Sequence, residues 1–163
     1  MKHEFYLTTE KPFILKSALN ENDFRNLFNN LSLLNKEIYS VLLNGEKMKE
    51  KDSLLKEFSA QLHFPDYFGE NWDAFDECIN DLSWINAKAY VIGILKGEYV
   101  LSLADKKEKQ TFIEIINETC EAWAKSDNTD NGMVHVRRPL HIIIQYENAN
   151  KISESDFLSE INE

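Results

Sequence analysis

The sequence predicts an α/β fold: a small three-stranded parallel sheet packed with helices, preceded by an N-terminal strand-helix extension. Three observations predict it. The runs EIYSVLL at 37–43, AYVIGIL at 89–95 and LHIIIQY at 140–146 are short, apolar and rich in β-branched residues, as strands covered on both faces are. The long stretches between them carry apolar residues at three- and four-residue spacing, the period of a helix that buries one stripe. Strands joined by helical crossovers instead of tight hairpins run parallel, with right-handed connections.

The first core strand stops at Asn44-Gly45, a turn pair. Asp52 or Ser53 then caps a helix whose apolar positions Leu55, Phe58 and Leu62 face one way, and which ends before Pro65. Asn71, a good N-cap, opens a second helix with Trp72, Phe75, Ile79 and Leu82 as its buried stripe. After the strand at 89–95, a longer helix is expected over 105–125 with Phe112, Ile116, Thr119 and Trp123 on one face, then loop composition in SDNTDNG. Pro139 precedes the last strand.

Two segments flank this plan, dividing the chain into 1–35, an extension packed on the core, 36–147, the main domain, and 148–163, an acidic C-terminal tail. The extension reads as a strand near FYLTT and a helix near 22–31 carrying Phe24, Leu27, Phe28 and Leu31. In the tail, Ile152, Phe157, Leu158 and Ile161 suit a short docked helix.

Length and composition bound the function. A chain of 163 residues with 43% hydrophobic content supports one core. Against 28 Asp and Glu stand 18 Lys and Arg, a formal net charge of -10, so the field of the molecule repels phosphate backbones and anionic lipid. No direct nucleic-acid or membrane partner is expected, whereas a basic protein is compatible. The N-terminus lacks the unbroken apolar stretch of a signal peptide, and a cytoplasmic protein is expected.

The chemistry-bearing residues form no catalytic or metal constellation in the sequence. Cys78 and Cys120 are far apart and read as reduced, buried thiols, and the carboxylates of Glu77 and Asp81 beside Cys78 oppose thiolate formation. His3, His63, His135 and His141 share no ligand spacing; His141 reads as a satisfied core or strand-end histidine. No GxSxG, P-loop or GxGxxG occurs. Asp73 and Glu77, at i and i+4, are the one carboxylate pair with the spacing for acid-base work, and nothing around them suggests a cleft. No catalytic residue, metal or cofactor is expected.

What remains is electrostatic. With Trp72 set at zero and about 100° per residue, Phe75, Ile79 and Leu82 fall between about 280° and 340°, whereas Asp73, Asn80 and Glu77 fall between about 80° and 140°, and Asp81 near 180°. With Asp66 and Glu70 just upstream, six carboxylates lie between Asp66 and Asp81, and no basic side chain occurs between Phe64 and Ala87. Glu77 repels Asp73 across one turn, where a face selected for stability alone would more often carry Lys. Residue chemistry leaves two readings open, a solvated face and a binding face.

FPDYFGENWDAFDECI resembles the most characteristic stretch of the barstar family of ribonuclease inhibitors, in which Tyr-aromatic-Gly-x-Asn-x-Asp-Ala opens the acidic binding helix and a Cys follows. LLNGEKM resembles the end of that family's first strand, with Gly45 lying 24 positions before Gly69. The resemblance covers about 36–147 and implies an intracellular inhibitor, or immunity protein, that plugs the basic active site of a ribonuclease or nuclease toxin. It implies partner-binding roles for Tyr67, Asn71, Asp73, Asp76 and Glu77, with Asn80 and Asp81 at the helix end, and a further acidic contact from Glu118 or Glu121. Two positions depart from the family pattern: Glu77 stands where the best-known member has Asp, and Asp76 where it has an aromatic residue. An adaptor that binds a basic protein other than a nuclease is the alternative.

Overall fold

A computed structural model describes residues 3–125 and 138–147. Strand β3, Ala89–Leu95, is buried along its whole length because it has a strand on either side and helices above and below. On one side lies β2, Ile38–Asn44, in parallel register from Ile38 opposite Ala89 to Asn44 opposite Leu95. On the other lies β4, Leu140–Gln145, with Tyr90 opposite Leu140 and Ile94 opposite Ile144. These are the three expected strands, and they are parallel as expected.

The sheet nevertheless has four strands, not three. Residues Ile14–Ser17 form β1, which pairs in parallel with β4, giving the order β1-β4-β3-β2. The expected strand near FYLTT is instead a 3-10 turn over His3–Leu7, in which the Thr8 N–H and hydroxyl both bond the Phe5 carbonyl. The sequence supplied the right residue types for a strand there, but Tyr6 is worth more as a plug over the sheet face, where it is 1% exposed. Strand geometry is taken up only after Pro12, which has no N–H to give to a ladder.

Two apolar layers sandwich the sheet. Helix α1, Glu21–Leu34, lays Phe24, Phe28 and Leu31 on one face, where they meet Tyr6, Val91 and Ile143. Its closest approach is at Gly93: a Cβ there would lie 2.4 Å from Phe28 Cζ, so only glycine lets the ring sit on the central strand. On the other face lie α2 (Lys51–Leu62), α3 (Trp72–Asp81) and α4 (Lys106–Ala124), whose Leu55, Phe58, Phe75, Ile79, Phe112 and Ile116 join Tyr90, Ile92 and Ile142 in the main core.

The start of α2 differs from expectation. Its cap is Glu50, and Ser53 completes the turn by accepting from the Glu50 N–H at 3.2 Å and donating to the Glu50 carbonyl at 2.9 Å. Ser53 thus acts as the third helical residue, and Asp52 sits in the first turn, where its charge suits the helix dipole.

His141 lies in the core but is not satisfied there. Its ring packs against those of Phe5, Tyr6 and Phe13 at centroid distances of 4.9, 5.7 and 6.0 Å, and neither ring nitrogen makes a hydrogen bond among the described residues. Burial holds its pKa below the ordinary histidine value, with the nearby Glu10 backbone partly offsetting that. The expected loop after α4 and the tail at 148–163, with Ile152, Phe157, Leu158 and Ile161, lie outside the described residues apart from Arg138. Among the described residues no helix is long and apolar enough to cross a membrane.

Candidate functional site

The acidic helix is defined at both ends by local chemistry. Asn71 is extended, and its side-chain oxygen accepts from the Ala74 N–H at 2.8 Å, while its amide reaches the Gly69 carbonyl at 3.3 Å. Glu70 just before it takes a left-handed conformation at φ 49°, which turns the chain from the loop into the helix. At the far end Leu82, also left-handed, returns its N–H to the Cys78 carbonyl at 3.2 Å and buries its side chain.

Between these ends the two faces separate as the angular estimate predicts. Phe75, Cys78 and Ile79 are buried and Trp72 is half-buried, whereas Asp73, Asp76, Glu77, Asn80 and Asp81 are exposed. Tyr67, in the loop leading in, is 74% exposed, a large aromatic side chain held in water. Asp73 and Glu77 make no hydrogen bond or ion pair among the described residues.

The helix that carries them is clamped to α4. Trp72 Nε1 donates to Glu108 Oε2, Asn80 Nδ2 donates to Thr119 Oγ1 at 3.1 Å, and Trp123 Nε1 donates to the Ile79 carbonyl at 3.3 Å. The Lys51 ammonium lies 5.9 Å from the centre of the Trp72 ring, within cation-π range. A shallow concavity of about 270 Å³, lined by Glu50, Lys51, Asp52, Leu103, Ala104 and Glu108, adjoins this end of the seam. The result is a fixed acidic platform rather than a loose charged helix.

The other expected contacts divide. Asn80 spends its amide within the molecule, on Asp76 Oδ1 at 2.8 Å, the Asp76 carbonyl at 2.9 Å and Thr119. Asp81 accepts from the Ser83 N–H at 3.3 Å. Glu118 is exposed on α4, but Glu121 pairs with Lys11 from the N-terminal extension, and that contact lowers its pKa. Sequence reasoning missed Glu108 and Thr119 as supports of the site. Glu108 does carry a local signal, three residues after the α4 cap Asp105, but that signal explains only the helix start.

Nothing in the seam resembles a nucleophile. Burial raises the Cys78 pKa, and Asp81 and Glu77 raise it further; burial and Glu121 push the Cys120 thiol up to about 12. Among the described residues no group of three His, Cys, Asp or Glu could hold a metal ion.

The match that decides the family begins at β2 and runs past the end of α4: residues 38–137 fit the family model described as "Barstar (barnase inhibitor)". The chain belongs to the barstar family. The description of that family model is of an inhibitor of barnase. Among solved structures, this barstar-family chain is similar to the ORC2 protein of Aeropyrum pernix in its ADPNP-ADP complexes, with a TM-score of 0.55 and 11% identity over 97% of this chain. It spans 41% of that protein's chain, and the likeness is one of α/β fold alone. No curated protein matches the sequence.

Proposed function

We propose that the protein is an intracellular inhibitor, or immunity protein, of a basic ribonuclease or nuclease toxin, and that α3 enters the target's active site. The observation that carries this reading is the pair Asp73 and Glu77, exposed and without an ion-pair partner among the described residues, on a helix clamped to α4. A ribonuclease site gathers cations to grip phosphates, so fixed carboxylates imitate the substrate backbone and occupy it. Opposed fields also steer the encounter. Tyr67, Asn71, Asp76, Asn80 and Asp81 flank the pair and complete the binding face, with residues 36–147 as the binding domain and 1–35 as its packed extension.

The test is neutralisation. Co-expression should protect cells from a delivered nuclease encoded beside this protein, and purified protein should inhibit that nuclease or barnase stoichiometrically. Asp73→Ala with Glu77→Ala should abolish protection. If no basic nuclease is bound at low salt and the double variant behaves as wild type, the reading is wrong. A partner that is basic but has no nuclease activity would make the protein an adaptor.

A further inference from the structure

The Asn80 amide has two N–H groups and reaches three acceptors: Asp76 Oδ1 at 2.8 Å, the Asp76 carbonyl at 2.9 Å and Thr119 Oγ1 at 3.1 Å. The orientation of that amide is chemically forced, because an ionised carboxylate oxygen only accepts. Thr119 is 0% exposed in α4, so the contact ties a surface carboxylate, through one side chain, to an immobile point in the core. An exposed Asp without such a tie samples its rotamers and loses that freedom when a partner binds.

We infer that Asn80 is a positioning residue of the binding face: it holds the Asp76 carboxylate as a third fixed anion beside Asp73 and Glu77, and so selects a target with a cation placed for Asp76. The inference rests on the inhibitor reading for its partner and on the hydrogen bonds for its mechanism. Asp73, Asp76 and Glu77 stand at i, i+3 and i+4, so they share one exposed side of α3. They differ in preparation. Among the described residues Asp73 and Glu77 have no side-chain hydrogen bond, whereas one oxygen of Asp76 is already engaged, leaving the other to meet a donor from the target. The carbonyl of Asn80 takes no donor among the described residues, and its role runs through the amide.

Two measurements test this. In the free protein, three-bond couplings that report χ1 should show a single Asp76 rotamer in the wild type. They should show averaging in Asn80→Ala and in Thr119→Val, which keeps the volume and removes the acceptor. Averaged couplings in the wild type, or couplings unchanged in Asn80→Ala, would overturn the inference. This arm needs no partner, so its failure is separate from failure of the inhibitor reading. With barnase as the probe, Asn80→Ala should weaken binding by about two- to tenfold, the loss expected when one side chain must be immobilised on binding. The same change in an Asp76→Ala background should have no effect. An equal loss in both backgrounds would make Asn80 a direct contact and sink the positioning role.

Discussion

The indole nitrogen of Trp72, the first residue of the acidic helix, donates to the carboxylate of Glu108 on α4, 36 residues away in sequence. That bond joins the N-terminal end of α3 to the helix behind it, much as Asn80 and Thr119 join the other end. Removing the acceptor with Glu108→Ala leaves a half-buried N–H to find water, and should lower the unfolding free energy by about 1 kcal/mol. Glu108→Gln, which keeps an acceptor, should recover most of it. Urea titrations of the two variants check this, and equal midpoints would mean that the seam bond contributes nothing.

Asp73→Asn and Glu77→Gln remove charge while keeping shape. Each should slow association with the proposed nuclease target, flatten its dependence on ionic strength, and weaken the complex by about 2 kcal/mol or more if the carboxylate is desolvated in the interface. Stopped-flow association at several salt concentrations reads all three effects. Loss of affinity with an unchanged salt slope would indicate that these groups act by shape and not by charge.

His141 gives stability a pH dependence. Its folded pKa lies below its unfolded one because burial disfavours the imidazolium, so at mildly acidic pH the unfolded chain binds more protons than the folded chain. The contribution is therefore complete above the unfolded value, about 6.5, and declines as pH falls through that value towards the folded pKa. Denaturant midpoints measured from neutral pH down to about 5.5 should fall in the wild type and fall less in His141→Phe. Parallel curves would show that another group is responsible.

The thiols should be inert in the folded protein. Cys78 and Cys120 are both free and buried, and burial raises the pKa of each, to about 12 for Cys120. Labelling with a disulfide reagent at mildly alkaline pH should be slow for the native chain and rapid in denaturant. Fast labelling of Cys78 alone would reveal an opening of the α3 to α4 seam.

Much of this was legible in the residues. The strand run AYVIGIL coincides with β3 from end to end, since a strand covered on both faces writes an unbroken apolar word. Asn71 as cap and the stripe through Trp72, Phe75 and Ile79 were equally readable, because a cap and a 3.6-residue period are properties of neighbours in sequence. FYLTT misled for the converse reason. Its β-prone residues state a preference that the packing of Tyr6 over the sheet overrides, and the pairing of β1 with β4 joins residues more than a hundred positions apart.

The sequence by itself determined the period of each core element, the two faces of α3 and the sign of the charge on its outer face. Helical phase follows from local spacing, and formal charge from composition. Only the tertiary structure decided which of these charges have partners: among the described residues Asp73 and Glu77 have none, Asp76 is held by Asn80, and Glu121 is taken by Lys11. The Asn80 to Thr119 bond spans 39 residues and the Lys11 to Glu121 pair spans the sheet-forming chain, so neither leaves a local pattern. A carboxylate looks the same in sequence whether it is bare or paired, because its partner is chosen by how distant helices pack.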